Sequence, residues 1–522
     1  MPKLTIDNRE YEFQPGATIL DVARAAGIEI PTLCFLPGCT PATSCMACVV
    51  KLLRPDRFVP SCARRAEDGM QIESETDEVR AARRTALELL LSDHPGDCIA
   101  PCQVVCPARM DIARMIRAVG SGDLAAAAAT ARRSLVLPAT LGRICPAPCE
   151  KGCRRGSHDA AISIRLLHRH AADADLASAR PALPERKPVT GKHVAIIGAG
   201  PTGLSAAWHL LLEGHGAALF DDHDLPGGVL RYHVPEDRLP RAVLDAEIDL
   251  VHRLGAEFRL GLRIGRDIAL ADLVRDFDAV LVACGEVKPE PAAALGLAVS
   301  AHGIQIDRQT YQTSQPGVFS AGDAIHPKRM TVRSVADGEI VAAAIGDYLA
   351  GRTSAAPAKP FTTRMGHLTE TEMASMAAGA SPENRIAPAG GESAGLTDDE
   401  ARREALRCLH CDCRKADACR LRHWCAACDA RPGHHGGTRR PFELNLQHPE
   451  VAYEPGKCIA CGLCVQIAAR RGEPLGMAFI GRGFGVRVGV PFGESVAAGL
   501  QKCAAECVDA CPTGALSWKR EK

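Results

Sequence analysis

All but one of the 24 cysteines in this 522-residue chain fall into five clusters; the exception, Cys284, lies in an apolar run, VLVACG. Thiols at short spacings either pair as disulfides or, as thiolates, hold metal. The opening residues, MPKLTIDNRE, lack an apolar signal-like core, so a cytoplasmic setting is expected, where disulfides are rare. Thiolate-rich metal sites are therefore the economical reading.

Residues 194–203, VAIIGAGPTG, carry a second chemistry-bearing pattern. Four apolar residues run into Gly198-x-Gly200-x-x-Gly203, and the helix-forming LSAAWHLLLEG follows. The pattern predicts a buried strand, a tight turn and a helix. The first glycine permits the turn, the second lets a pyrophosphate approach the backbone, and the third lets helix and strand pack closely. The helix N-terminus then offers free N–H groups and its positive dipole end to the phosphates. A second strand, AALF, leads to Asp221, placed to hydrogen-bond a ribose hydroxyl. Dinucleotide binding is the reading; a purely structural βαβ turn is the alternative.

Several domains must position these groups, because 522 residues exceed one core. Lys+Arg and Asp+Glu number 62 each, so the formal charge is zero, and nothing in that balance suggests a nucleic-acid or membrane surface. Aromatics at 4% argue against base-stacking platforms. No apolar run approaches the length of a membrane span.

Residues 1–79 open with alternating apolar residues on either side of DNRE, which predicts a hairpin, and Thr18 with Asp21 predicts a capping box for the helix ILDVARAAG. Cys34, Cys45, Cys48 and Cys62 follow at C-x10-C-x2-C-x13-C. This resembles the β-grasp 2Fe–2S ferredoxin domain of the complex I large iron–sulfur subunit and of iron hydrogenases, which implies that these four thiols hold a 2Fe–2S cluster. Cys39 imitates another ferredoxin spacing, C-x5-C-x2-C, but the phrase IPTLC around Cys34 favours Cys34 and leaves Cys39 as a buried thiol.

Residues 80–175 begin with a predicted helix, EVRAARRTALELLLS, and continue through Cys98, Cys102, Cys106-Pro, an alanine-rich helical stretch, Cys145-Pro, Cys149 and Cys153. The spacing resembles the two-cluster helical domain of the glutamate synthase small subunit. In that family the ligands of two 4Fe–4S clusters interleave. Carried over, Cys98, Cys102 and Cys153 hold one cluster, and Cys106, Cys145 and Cys149 the other. Pro95 stands where the family's first cysteine would. His94 lies at the His-x3-Cys spacing at which histidine ligates a cubane in the complex I subunit, so it is a candidate for the open position, against a surface histidine. His168 falls where relatives place a non-cysteine ligand, although a solvated helix-face histidine would read the same. Interleaved ligands staple helices together, so cluster loss is expected to unfold this domain.

A Pro-rich linker over 176–190 leads to residues 191–352. Here LPGGVLRYHVPEDRLPRAVLD and VFSAGDA resemble the flavin half of the glutamate synthase small subunit and of dihydropyrimidine dehydrogenase. The resemblance implies a Rossmann-like FAD domain lined by Gly198, Gly200, Gly203, Asp221, Gly227, Gly228, Gly322 and Asp323. The family's GIP reads His233-Val-Pro here. TVRSVADGEIVAAAIGDYLAG resembles the family's closing helix, whose N-terminus faces the flavin. Relatives interrupt this fold with an NADPH domain. Between VLVACG and VFSAGDA only about thirty residues remain, roughly the length of one βαβ unit, and no second GxGxxG occurs. The resemblance therefore implies a flavin domain without a nicotinamide site. Cys284 is expected to serve packing.

Residues 353–440 read as a linker and a Cys-rich segment. The helix DDEARREALR delivers Cys408, Cys411, Cys413 and Cys419, then Cys425 and Cys428. A further 4Fe–4S cluster, a zinc site or an unfilled site fits the first four, and the surrounding clusters favour iron–sulfur. Residues 441–522 resemble the bacterial-type ferredoxin module of complex I and iron hydrogenases, in which two cysteine runs exchange their fourth ligands. Cys458, Cys461, Cys464 and Cys511 complete one 4Fe–4S set. Ala468, Gln501 and Ala504 interrupt the other, leaving Cys503 and Cys507 unligated.

The expected architecture is thus multidomain, α/β with α+β: a β-grasp ferredoxin, a helical double-cluster domain, a Rossmann-like FAD domain and a C-terminal ferredoxin-like domain. One-electron carriers flank a two-electron carrier, which suggests an electron-transfer subunit of a hetero-oligomeric complex, with other redox subunits or ferredoxin as partners. An autonomous NAD(P)H- or ferredoxin-linked oxidoreductase, or a scaffold with degenerate cluster sites, are the alternatives. The resemblance brings no glutamate or pyrimidine chemistry with it.

Overall fold

The computed structural model describes residues 1–286, 295–327, 330–353 and 360–519. It comprises two compact units. One is built from residues 1–99, 360–379 and 410–522; the other, from 100–359 and 380–409, interrupts it in sequence.

The first unit opens with a mixed five-stranded sheet, β1 (Lys3–Ile6), β2 (Arg9–Glu12), β3 (Val49–Leu53), β4 (Asp56–Pro60) and β5 (Gln71–Glu73), in the order β2-β1-β5-β3-β4. Asp7 and Asn8, both at positive φ, make the β1–β2 turn, the conformation that matches the twist of a two-residue hairpin. Leu4 and Ile6 then face a core shared with Val50, Leu52 and Ile72. The helix Ile19–Ala25 covers that core, and its capping box forms as expected: the Asp21 N–H donates to Thr18 Oγ1 at 3.2 Å and the Thr18 N–H to Asp21 Oδ2 at 2.9 Å. The helix Asp77–Leu91, which the sequence reading grouped with the double-cluster domain, belongs to this unit. Its buried Arg83 donates to Val49 O at 3.1 Å and to Glu75 at 2.9 Å, which fastens the helix to β3.

Later in the same unit, strand Val451–Tyr453 pairs antiparallel with Leu516–Trp518, and Ala478–Ile480 with Arg487–Gly489. Helices Leu463–Arg470 and Ala504–Ala510 pack around Val451, Ile467, Leu500 and Val508.

The second unit combines helices with a parallel sheet. Its strands β6 (His193–Ile197), β7 (Gly216–Phe220), β8 (Glu257–Arg259), β9 (Ala279–Val282) and β12 (Val318–Ser320) are ordered β12-β9-β6-β7-β8. The near-continuous apolar strands suit a sheet covered on both faces. β9 pairs directly with β12, and the described residues between them hold only the two-residue strands β10 (Val299–Ser300) and β11 (Gly303–Ile304). Helices Ile112–Ser121, Leu124–Leu135, Pro138–Ile144 and Ile164–Leu176 share one apolar core with the sheet domain, through Met115, Leu135, Leu167, Trp208 and Val341.

The stretch expected to be a linker is ordered where described. It contains the helix Glu370–Ala377; the helix Asp398–Leu406 forms where DDEARREALR predicts it, both with capping boxes, and Arg420–Ala427 follows in the Cys-rich segment. Its APAGGES phrase is held by Arg169, which donates to Glu392 O at 2.8 Å and Ser393 O at 2.6 Å. A buried arginine reaching two carbonyls orders a glycine-rich segment that composition reads as loose. No helix among the described residues is long and apolar enough to cross a membrane.

Candidate flavin cradle and thiol clusters

In the second unit, β6 ends in the glycine turn and the helix Pro201–Leu212 begins at once. Gly200 is its N-cap, Pro201 its first residue, and no side chain caps it, so its first N–H groups face outward. Each fingerprint glycine has its own reason. A Cβ on Gly198, which sits at φ +110°, would lie 2.4 Å from Ala283 O, and one on Gly203 would lie 1.9 Å from Gly198 O. A Cβ on Gly200 would meet nothing closer than Gly228 Cα at 3.9 Å. Two of the three serve packing; the middle one keeps a face clear. Gly228 adopts φ +50° beside Gly200, and the Gly227 N–H donates to Ala199 O at 2.9 Å. Gly322, at φ +70°, approaches Thr202 so closely that a Cβ would fall 2.3 Å from its hydroxyl. Asp323 follows in the short turn after β12.

Asp221 directly follows β7 and is buried. Its Oδ2 accepts the Ala199 N–H at 2.7 Å and its Oδ1 accepts the His223 N–H at 3.0 Å. The carboxylate therefore braces the glycine turn itself, a role that spacing alone did not suggest. Cys284, expected on a buried strand, is exposed just beyond β9. The closing helix Thr331–Leu349 crosses Pro201–Leu212 at Gly338, and Ser205 Oγ donates to Val335 O at 2.7 Å.

In the first unit, Cys34, Cys45, Cys48 and Cys62 are buried together. Cys34 Sγ lies 3.3 Å from Cys45 Sγ, and Cys62 shares hydrogen bonds with both Cys34 and Cys48. Cys45, Cys62 and the Ser44 backbone donate toward Cys34 and hold its thiol far below the ordinary range, while Cys45 and Cys62 are raised. Such a set ionises one thiol at the expense of its neighbours, which an anion-binding metal centre relieves. Cys39 is buried, its N–H donating to Leu36 O.

Farther along, Cys458, Cys461, Cys464 and Cys511 line one small cavity with Tyr453 and Thr513. Burial raises Cys458, Cys461 and Cys464. Ala468 packs in the apolar core, where Cys503 and Cys507 lie with sulfurs 3.8 Å apart. A C503A/C507A double variant is expected to keep its full iron content and to lose about 1–2 kcal/mol of stability per site from removed packing; iron analysis and chemical denaturation check both halves.

The second unit gathers Cys106, Cys145 and Cys149: Cys106 bears electrostatically on both of the others, and Cys145 on Cys149. The N–H groups of Ala108, Arg109 and Met110 point at Cys106 Sγ, although burial still raises its pKa. His168 is no solvated helix-face residue: it is 4% exposed, and its Nδ1 lies 3.1 Å from Pro138 O. Burial holds its pKa down to about 4. A ring donating Nδ1–H to that carbonyl keeps its lone pair on Nε2, the form a metal requires.

Cys102 lies on helix Pro101–Val105, which packs against Pro148–Lys151; a Cβ on Gly152 would fall 2.8 Å from Val105. This close approach brings Cys153 beside the Cys102 helix. Beyond Cys153, Arg155 donates to Arg407 O, and the fully buried Arg407 donates to Asp159 at 3.2 Å and Ala160 O at 2.9 Å. Cys408, the next residue, is thereby fixed to the turn that follows Cys153.

The remaining predicted ligands are divided differently from the sequence grouping. His94 and Cys98 belong to the first unit, Cys102 and Cys153 to the second. Cys408 belongs to the second, and Cys411, Cys413 and Cys419 to the first. His94 is partly buried rather than a surface group; burial, then the Lys457 and Arg440 cations, hold its pKa down to about 3. Cys425, which the sequence reading set aside, is fully buried. Its signal was available: Cys413, Cys419 and Cys425 recur at C-x5-C-x5-C.

Comparison with known proteins assigns three domains. Residues 2–77 match a 2Fe-2S iron-sulfur cluster binding domain, residues 91–180 the dihydropyrimidine dehydrogenase domain II with its 4Fe-4S cluster, and residues 168–339 the pyridine nucleotide-disulphide oxidoreductase family. The chain is similar to the NADP(+)-dependent formate dehydrogenase subunit beta of Moorella thermoacetica, 39% identical over 36% of this chain and 29% of that protein. It is also similar to the dihydropyrimidine dehydrogenase subunit PreT of Escherichia coli K12, 36% identical over 36% of this chain and 45% of the relative. The glutamate synthase small chain of Mycobacterium tuberculosis is 39% identical over 28% of this chain and 30% of its own length. The chain spans less than half the length of each of these curated relatives.

Proposed function

We propose that this iron–sulfur flavoprotein, an oxidoreductase chain with 2Fe–2S, 4Fe–4S and FAD-binding domains, serves as the electron-transfer subunit of a larger complex, in a reducing cytoplasm. FAD exchanges electrons singly or in pairs, and iron–sulfur clusters exchange them one at a time. The chain's own residues supply placement. Gly200 and Gly228 keep the approach to the Pro201–Leu212 N-terminus clear for a pyrophosphate, and Asp221 fixes the turn and offers its remaining lone pairs to a ribose. Cys34, Cys45, Cys48 and Cys62 form the 2Fe–2S set. Cys458, Cys461, Cys464 and Cys511 form a C-terminal, ferredoxin-like 4Fe–4S set. Cys106, Cys145 and Cys149, with His168, form another. Cys102 and Cys153 take Cys408 as a third thiol, in place of the family's missing first cysteine.

One observation carries the reading: β9 and β12 are direct neighbours with only a small hairpin described between them. A flavin domain so short leaves hydride chemistry to a partner, and electrons reach it through the thiol-bound centres. Relatives named as beta subunits of NADP(+)-linked enzymes support a subunit role. The deciding experiment is anaerobic titration of the purified chain. Reduced ferredoxin, or a co-purifying catalytic subunit with its substrate, is expected to bleach the flavin, whereas NADH and NADPH alone leave it oxidised. Stoichiometric bleaching by either nucleotide sinks the proposal and favours an autonomous oxidoreductase.

A further inference from the structure

We infer that Cys98, Cys413, Cys419 and Cys425 together hold one further iron–sulfur centre, formed entirely within the first unit. It rests on the reading of the chain as an iron–sulfur protein and not on the direction or partner of electron flow.

Two linked sets of contacts draw these thiols to one place. Residues 361–365 tie the Cys98 loop to the Cys-rich helix. Thr363 Oγ1 lies 3.3 Å from Cys98 Sγ and donates to Gly96 O at 2.6 Å; the Ile99 N–H donates to Thr362 Oγ1, and the Met365 N–H to Asp97. On the other side, Arg422 Nε donates to Phe361 O at 3.1 Å. Arg422 belongs to the helix Arg420–Ala427, whose N-cap is Cys419 and which buries Cys425. The second set passes through residues 512–514. Leu421 N–H donates to Pro512 O at 3.0 Å, Cys419 Sγ lies 3.7 Å from the same carbonyl, and a Cβ on Gly514 would fall 2.5 Å from Cys413 Sγ. Lys457 closes the ring, with its stem 3.0 Å from the Gly96 Cβ position and 3.6 Å from that of Gly514.

The surrounding charges suit a thiolate-bound centre. Cys98 bears electrostatically on Cys413, Cys419 and Cys425 alike. Four thiolates round a metal centre leave net negative charge, and burial without a counter-charge is costly. Lys457 supplies one: it is buried beside the Gly514 turn, with Nζ 2.7 Å from Glu454. The Arg422 N–H, 3.4 Å from Cys419 Sγ, adds a donor.

Position gives it a role. Cys413 and Cys419 touch residues 512–514, directly after Cys511 of the C-terminal set, and Cys461 of that set is within electrostatic reach of Cys34. The three thiol sets of the first unit thus follow one another, and Cys98 precedes Cys102 by four residues in the chain.

The test is iron analysis and low-temperature electron paramagnetic resonance of the dithionite-reduced holoprotein and variants. C98S and C425S are each expected to lose about four irons per chain and the same one signal, while bound flavin and the 2Fe–2S signal persist as proof of folding. Gly514→Ala, which pushes only on Cys413, is expected to shift that signal without changing the iron count. H94A and C411S should leave it intact. Unchanged spectra in C425S and Gly514→Ala overturn the inference, as does loss of this signal in H94A with retention in C425S, or stoichiometric zinc in the wild-type chain.

Discussion

Gly200→Ala and Gly203→Val are both expected to weaken flavin binding, and only the second to unfold the domain that holds it. The two glycines belong to one fingerprint but meet different surroundings. A methyl on Gly200 would sit 3.9 Å from Gly228 Cα, an ordinary contact, and its φ of −84° is open to alanine. The alanine variant should therefore fold with an unchanged thermal midpoint when flavin-free. Its methyl nevertheless stands on the surface a pyrophosphate must approach, so affinity for FAD is expected to fall by about 10- to 100-fold, the scale of one lost close contact with a phosphate. At Gly203 the added carbon would lie 1.9 Å from Gly198 O. That carbonyl cannot withdraw, because Gly198 is itself pressed against Ala283 O. The helix cannot retreat either: on its far side Gly338 of the closing helix stands so near that a Cβ there would lie 2.6 Å from Thr202 O. Overpacking between two immovable backbones costs about 3 kcal/mol or more, and the first unit, sharing no part of this core, should keep its 2Fe–2S signal. Equal loss of stability in both variants would refute the division of roles.

What the sequence disclosed, and what it concealed, follows from the range of the interactions. The hairpin at Asp7 and Asn8, the Thr18 capping box and the strand–turn–helix at Gly198 are local, and their residues lie within a few positions of one another. The sets Cys34 to Cys62 and Cys458 to Cys511 were legible because their motifs keep family spacing. The grouping of Cys98 was not legible. Chain order places it beside Cys102, whereas its sulfur lies 3.3 Å from Thr363 Oγ1, more than two hundred residues later. The order of residues 380–397 was hidden for the same reason: Arg169, Arg155 and Glu404 organise a segment whose own composition reads as linker. Glu404 accepts the N–H groups of Ser163 and Ile386 at 2.8 Å each, and no periodicity announces such a bond.

Anaerobic removal of iron is expected to melt only part of the helical layer, contrary to what interleaved ligands alone would suggest. If clusters were the staples, all of residues 101–176 would unfold with them. The structure supplies other fastenings. Met115, Ile116, Leu135 and Leu167 belong to a core continuous with the flavin-binding sheet. Arg132 and Asp175, both buried, pair at 2.7 Å. Glu247, from the sheet domain, accepts the N–H groups of Ala139 and Thr140 at 2.7 Å each and so caps the helix Pro138–Ile144. None of these depends on a thiol. The short helices Pro101–Val105 and Pro148–Lys151 differ: they are five and four residues long, below the length at which a helix holds itself, and each carries a cysteine of a proposed cluster set. Hydrogen exchange on the iron-depleted chain should therefore lose protection by about 100-fold or more over residues 101–110 and 145–153, a local opening set by lost metal–ligand free energy. Residues 112–135 and 164–176 should keep theirs. Uniform loss across 101–176 would restore the stapling account and show that the apolar core is too weak to hold the layer without its metal.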